Sequence, residues 1–487
     1  MPYFALSANR EDKFMKKFPF HWLVLAAVVF ANNAKATTVF PIATNPAVVE
    51  VSGGIATCGT NYYAMIVSGT NLVGQLIGTN GTLIGGQTNI GFNPGFPPAA
   101  ALAFGQTNYL VAWSDSSVSA GVDMFGQFVS RSGAKVGSKF NLLSSQGSFG
   151  FQYVRALASD GTNFVAVWQD DNNQNFYGQL ITPSGTLSGT AFLIDTSPSD
   201  NPNPGTPNGN DAAITFGKTN YLVAWMSGNG SQNADQTYTY AEFISTTGVA
   251  GNPFQISQTV STDQNPLALA FDGTNYLAVW PWDPGPETEM NVTNWQLYAR
   301  LVAQSGTLVG SELKLITNRN DVIPSLAFDG TDYLLTYGFD SNTTNSDRNL
   351  YCQFIDRSAS LAGPFFVPFT TQGTNVPLFA FNGTVFDGKR FAVAAALGTL
   401  GGFAESFGAF IPASTTPPTL TASNLVGTQF PLQLTGTPGI TYAIQISTNL
   451  ALSNWTAVVT NSPTNGTFSF TDTHATNASR FYRAVKQ

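Results

Sequence analysis

Residues 269–280 read LAFDGTNYLAVW. Four other stretches say nearly the same thing: LAFGQTNYLVAW at 102–113, LASDGTNFVAVW at 157–168, ITFGKTNYLVAW at 214–225 and LAFDGTDYLLTY at 326–337. Aligned on the aromatic that follows "TN", the series extends to Tyr62, Tyr109, Phe164, Tyr221, Tyr276, Tyr333 and, in DGKRF, Phe391. Successive spacings are 47, 55, 57, 55, 57 and 58 residues. A period of that length is one supersecondary unit, so the chain reads as an array of seven units.

Each unit holds four extended runs. In the fifth, PLALAF is followed by the turn DG and then TNYLAVW. A variable connection leads to LYARLVAQ, the turn SG and ELKLI. The runs are rich in β-branched, aromatic and Leu residues and the turns carry Gly, which is the composition of short antiparallel strands. A charged content of 10% beside 13% aromatics, with 47 Gly and 27 Pro, suits strands and turns better than helices. Successive side chains of a strand point to opposite faces. In Ala268-Leu269-Ala270-Phe271 and Ser325-Leu326-Ala327-Phe328 neither face is charged, so both are expected to be buried between neighbouring sheets.

Fourth strands read SKFNLLSS, TAFLIDTS, NPFQISQT and SELKLITN, but the seventh unit, from about Pro377 to Ala413, lacks one. TVFPIATN, at 38–45, is a fourth strand without the other three. A ring needs closure and an open array does not. The expected fold is therefore all-β: a seven-bladed β-propeller over 37–413, closed by its N-terminal strand. PASTTPPTL marks a linker, assigned to 414–419. Residues 420–487, with alternating runs such as YAIQIS and FSFTD, suit a small β-sandwich.

The repeat resembles a group of secreted bacterial proteins whose units read roughly D-G-x-N-Y-L-V-V-W, then Y-G-x-R/Q-V, then a Gly turn. The resemblance covers about 38–413 and implies the fold, with no catalytic residue attached to it. YAIQISTNLALSNWTAV and the closing RFYRAV resemble an immunoglobulin or fibronectin type III module that ends many secreted proteins of environmental bacteria. That implies an accessory domain, for surface retention or as a spacer.

Residues 1–36 carry an address. From Met15, the expected true start, the chain has a basic opening (Lys16, Lys17), an apolar run from Trp22 to Phe30 and the small-residue ending Ala34-Lys35-Ala36. This is the pattern of a secretory signal peptide, too short to span a bilayer. The expected location is secreted: periplasmic, extracellular or cell-surface, with no transmembrane segment. Residues 37–487 keep fifteen basic against twenty-six acidic residues, a net charge of −11. Such a surface repels phosphate backbones, so no nucleic-acid partner is expected.

Chemistry is sparse. Only His474 lies outside the leader, which removes a Ser-His-Asp triad, a Cys-His pair or a His-based zinc site from the ring. No phosphate-binding G-x-x-x-x-G-K-[ST] occurs. Paired carboxylates remain, because glycoside hydrolysis needs only two. At the channel mouth the first strands enter with Ala99, Val154, Pro266 and Ile323. The ionisable groups near that level are Asp211, Asp321 and Glu50, with Arg155 as a lone cation. Trp113, Trp168, Trp225 and Trp280 form a column at the end of the second strands, expected to be packing. Gln75, Gln127, Gln179 and Gln353 form another, expected to hydrogen-bond between strands.

Variation points to a working face. The turns after strands one and three stay short and share one face, because strands alternate in direction. The long connections lie on the other face, and loops on a rigid scaffold carry function. That face holds Asp115, Asp123, Asp170, Asp171, Asp235, Asp283, Asp340 and Asp347, with Trp282 and Trp295 bracketing the longest strand-two-to-three connection. Oxygen ligands suit Ca²⁺, but no loop matches an EF-hand or the nonapeptide calcium repeat, so no cofactor and no metal ligand is assigned. The two cysteines, Cys58 and Cys352, fall at opposite faces two units apart and are expected to stay unpaired. The preferred function is a monomeric, non-catalytic binding or adhesion protein for glycans or proteins. The alternative is a propeller glycoside hydrolase or lyase with a carboxylate site at the channel mouth.

Overall fold

The computed structural model describes residues 38–43, 50–92, 99–115, 123–143, 152–170, 175–195, 212–228, 237–259, 261, 267–282, 295–319, 323–338, 350–368, 378–398, 404–414, 418–422, 429–436, 441–447, 455–463, 466–473 and 480–486. One compact unit spans Asn33–Ser414, and the other holds Thr415–Gln487.

Among the described residues the first unit contains seven antiparallel sheets, numbered here in chain order. Sheets 1 to 6 occupy 50–92, 100–141, 152–195, 212–255, 268–319 and 324–355. Sheet 7 takes three strands from 378–412, and its fourth is Thr38–Ala43. The register is antiparallel, with Thr38 opposite Phe410 and Pro41 opposite Phe407. The N-terminal strand therefore completes the last sheet, as the unpaired fourth-strand pattern predicts.

Seven apolar clusters hold these sheets, and each joins two consecutive ones. Tyr63 and Met65 of sheet 1 pack with Val111 and Trp113 of sheet 2. The series continues through 2–3, 3–4, 4–5, 5–6 and 6–7. It returns to its start where Phe40, Ala392 and Phe410 of sheet 7 pack with Ile55, Tyr62 and Ile66 of sheet 1. Six of these sheets have four strands and sheet 6 has three among the described residues; a cyclic order of such antiparallel sheets is β-propeller architecture. The small/large alternation of the first strands has its reason here: Ala268 and Ala270 face sheet 6 while Leu269 faces sheet 4.

The repeated phrase encodes the contacts between sheets. In the DGTN turns the aspartate Oδ1 accepts two backbone N–H groups: from Thr162 and Asn163 at Asp160, from Thr274 and Asn275 at Asp272, and from Thr331 and Asp332 at Asp329. The tyrosine after "TN" then reaches the preceding sheet. Its hydroxyl donates to the Asn61 carbonyl from Tyr109 (3.2 Å), to that of Asn163 from Tyr221 (3.4 Å) and to that of Asn220 from Tyr276 (2.9 Å). Tyr62 closes the circuit on Asp387 of sheet 7. The phrase encodes a turn and, at these four tyrosines, a latch to the preceding sheet.

The outer edges carry their own device. Gly85, Gly137, Gly189 and Gly310 sit at φ near +70° in the fourth strands, where the pairing register shifts. Such bulges disrupt an exposed edge that would otherwise pair with another chain. The glutamine column satisfies the carbonyls they free: Gln75 Nε2 donates to Ile84 O (3.3 Å), Gln127 to Val136 O (3.1 Å) and Gln179 to Ser188 O (3.0 Å). In sheet 5 Arg300 takes that place and donates to Gly310 O.

The second unit has two three-stranded sheets that share one apolar cluster. Leu420, Phe430, Leu432 and Leu434 come from the first sheet, and Tyr442, Ile444 and Tyr482 from the second.

Candidate binding face

The second strands rise to the long-connection face through the tryptophan column. Trp113, Trp168, Trp225 and Trp280 are buried between sheets. They are packing, as expected.

In sheet 2 the strand continues Trp113-Ser114-Asp115. Asp115 and Asp123 stand opposite each other across the strand pair. Facing carboxylates repel, and Lys139 offsets this with its Nζ 3.8 Å from Asp115 Oδ2 and 3.8 Å from the centre of the Phe125 ring. Asp115 is buried and Asp123 half-buried. In sheet 3 the strand continues Trp168-Gln169-Asp170, and Asp170 is also buried, with its N–H donating to the Asn175 carbonyl. These two aspartates belong to the ends of the second strands rather than to the connections between strands. The strands run far enough for both to sit inside the paired region, Asp115 opposite Asp123 and Asp170 opposite Gln152.

In sheet 5 the strand continues Trp280-Pro281-Trp282. Trp282 is half-buried, its ring edge-on to Tyr298 at 5.7 Å, and it pairs across the strands with Gln296. Trp295 begins the next strand, opposite Arg319. Asp171, Asp211, Asp235, Asp283, Asp321, Asp340 and Asp347 lie outside the described residues. Glu50 is buried at the start of sheet 1, where Ser68 Oγ (3.3 Å) and Gln87 Nε2 (3.5 Å) donate to it.

The channel mouth needs a correction. Sequence alignment sets Val154 level with Ala99 and Ile323. The first strand of sheet 3 has an extra residue, Arg155, between Val154 and Ala156. Val154 therefore pairs with Trp168 as Ala100 pairs with Trp113, and is buried against sheet 2. Tyr153 takes the mouth position, half-buried and opposite Gln169. Ser114 Oγ of sheet 2 accepts the Val154 N–H beside the bulge at 2.9 Å. Arg155 is buried, donates to Gln169 Oε1 at 2.7 Å, and holds its guanidinium carbon 5.4 Å from the centre of the Tyr153 ring. Among the described residues no group of three His, Cys, Asp or Glu side chains is placed to hold a metal. No helix there is long and apolar enough to cross a membrane. Cys58 and Cys352 are both free.

No protein-family profile matches the chain, and no curated protein matches it. Solved structures resemble it at low identity. One is a protein of unknown function from Dyadobacter fermentans, 12% identical over 78% of this chain and 99% of the other, with a TM-score of 0.43. Another is the β-propeller domain of the Trilobed protease from Pyrococcus furiosus, 10% identical over 74% and 93%, TM-score 0.43. A third is hydrazine synthase of Kuenenia stuttgartiensis, 11% identical over 74% and 95%, TM-score 0.47.

Proposed function

We propose that the chain is a secreted seven-bladed propeller that binds a glycan or protein through its long-connection face without catalysis. In this reading, residues 1–36 are a signal peptide. The C-terminal unit is an immunoglobulin or fibronectin type III-like sandwich that serves retention at a surface.

The observation that carries the reading is Trp282. Four tryptophans of the repeat are buried in the seams, whereas Trp282 stands two residues past the column and is half-buried beside Tyr298 and Gln296. Large aromatics beyond the packing requirement act as binding anchors, and a flat ring beside an amide suits a sugar face. The carboxylates that a hydrolase would use at the mouth, Asp211 and Asp321, lie outside the described residues, and no observation favours that second reading.

The test is a glycan and protein array probed with residues 37–487, followed by titration of the ligand found. Trp282→Ala is expected to weaken binding at least about tenfold with the fold intact, as anchor residues do. A ligand bound equally well by Trp282→Ala would overturn the anchor. Cleavage of a bound glycan during incubation would replace a binding protein with an enzyme.

A further inference from the structure

We propose that the C-terminal unit binds a uronate-bearing polysaccharide through Arg483, held between Gln445 and Trp455 on the outer face of its second sheet. This rests on the retention reading above and names the ligand class that retention uses.

Charge sets the two units apart. Residues 37–414 carry twelve basic against twenty-five acidic residues, a net charge of −13, whereas 415–487 carry Arg480, Arg483 and Lys486 against Asp472 alone, a net charge of +2. Asp472 is buried and already neutralised. Arg480 Nε stands 2.6 Å from its Oδ2, and the Tyr482 hydroxyl donates to the same oxygen at 2.9 Å. The unit has no other carboxylate side chain to pair with Arg483. An acidic polymer is therefore repelled by the ring and attracted to this unit.

Strand pairing puts Arg483 where a ligand can reach it. In the second sheet the strand Tyr442–Ser447 is central, flanked by Thr456–Asn461 and Phe481–Lys486. Ile444 and Tyr482 point into the apolar cluster. Gln445 and Arg483 are the next residue of each strand and stand opposite each other, so both point away from it. Phe481 takes the same face two residues before Arg483, and Trp455 lies just before the flanking strand. All four side chains are half-buried.

Arg483 is held in place with half of its donors unused. Its Nε donates to Gln445 Oε1 at 2.8 Å, and its guanidinium carbon lies 4.3 Å from the centre of the Trp455 ring. Its two terminal nitrogens donate to no group among the described residues. Arg131, Arg300 and Arg357, by contrast, each donate a terminal nitrogen to a backbone carbonyl. The amide and the indole fix the plane of the Arg483 guanidinium, which lowers the ordering cost of binding. The remaining edge is the fork that takes a carboxylate through two parallel N–H···O bonds. The flanking Trp455 and Phe481 rings select the carrier of that carboxylate. Apolar ring edges beside a charged fork match a pyranose that bears its carboxylate on the ring.

The experiment titrates residues 37–487 with hexagalacturonate and hexamannuronate, with β-1,4-mannohexaose as the neutral counterpart, and with polyglutamate and polyphosphate as anions without a sugar. A uronate is expected to bind at least about tenfold tighter than the neutral hexasaccharide and to weaken as salt rises. Arg483→Met is expected to lower uronate affinity at least about tenfold, and Arg483→Lys about fivefold, because lysine keeps the charge and loses the fork. Lys389→Met removes one charge from an exposed turn of sheet 7 and should stay within about twofold of wild type. A melting curve on each variant shows that it folds. Wild-type uronate affinity in Arg483→Met overturns the site. Binding of polyglutamate, polyphosphate or the neutral hexasaccharide as tight as that of the uronates overturns the ligand class. Co-sedimentation with peptidoglycan sacculi and with outer-membrane vesicles reads retention separately. If the wild type sediments but binds no uronate, this proposal falls and retention stands; if it does neither, both fall.

Discussion

Ring closure depends on one side chain in particular, Phe40, and its worth can be worked out from its surroundings. Phe40 is buried in the strand Thr38–Ala43, its ring 4.6 Å from that of Phe410. Two glycines make room for it: a Cβ on Gly408 would lie 2.3 Å from the ring and one on Gly81 3.0 Å. Truncating a buried phenylalanine costs about 3–5 kcal/mol, more where the site cannot collapse. Glycines have no side chain to move into the vacancy, so Phe40→Ala is expected near the upper half, about 4 kcal/mol. Val39, 46% exposed on the same strand, is the control, and Val39→Ala should stay within about 0.5 kcal/mol. A second arm isolates the contact. Gly408→Ala must displace Phe40 and should cost about 1–3 kcal/mol in the wild type, yet almost nothing in Phe40→Ala. Urea unfolding of residues 37–487 followed by tryptophan fluorescence reads this out, since Trp113, Trp168, Trp225, Trp280, Trp282 and Trp295 all lie in the ring and, within 37–487, only Trp455 in the second unit. A Phe40→Ala cost below about 1 kcal/mol, or the same Gly408→Ala cost in both backgrounds, would refute closure by this strand.

Two further predictions concern titration and reactivity. Partial burial pushes the Cys58 thiol up, but hydrogen bonds with Thr60 and Tyr109 and from the turn backbone outweigh it, so its pKa falls below the ordinary thiol value, while burial pushes Cys352 well up. A thiol reagent at neutral pH should therefore modify Cys58 alone in the native protein and both after unfolding; a Cys58–Cys352 disulfide in the mass spectrum would refute the register. Burial raises the latch tyrosines, Tyr276 to about 12 and Tyr62, Tyr109 and Tyr221 further. A raised folded pKa contributes stability that is intact below the unfolded value of about 10 and lost as pH rises through the folded value. Absorbance at the phenolate band should thus show these tyrosines ionising together with unfolding above about pH 10, not before it; reversible ionisation of all of them in a native ring would contradict the latch.

How much of this was readable from the residues follows from what each pattern constrains. The ring, its closing strand and the two packing columns were legible because a repeat compares the chain with itself. A tryptophan at the same place in sheets 2, 3, 4 and 5 cannot be a private site, and all four are buried. The latch was half legible: the tyrosine recurs, but its hydroxyl partner is a backbone carbonyl of the preceding sheet, which leaves no trace in sequence. The bulge regularities carried a signal that spacing could have given, a second glycine four residues after the turn glycine at Gly81 and Gly85, Gly133 and Gly137, Gly185 and Gly189, and Gly306 and Gly310.

The channel mouth failed for a physical reason. An amphipathic strand announces its phase through alternation, so one inserted residue flips polar and apolar positions and shows at once. The inner strands here are buried on both faces, with Val154 against sheet 2 and Ala156 against sheet 4. A slip of one residue then exchanges one apolar neighbour for another, and nothing in QYVRALAS marks where the register breaks. The one conspicuous residue, Arg155, was read as the mouth group when it is the insertion that carries Tyr153 there. The same double burial explains why the polar groups of sheet 3 carry information. In a strand with one wet face, Gln169 and Asp170 would be ordinary surface. Between two sheets they are costly, as are Glu50 and Asp115 at the same level of sheets 1 and 2.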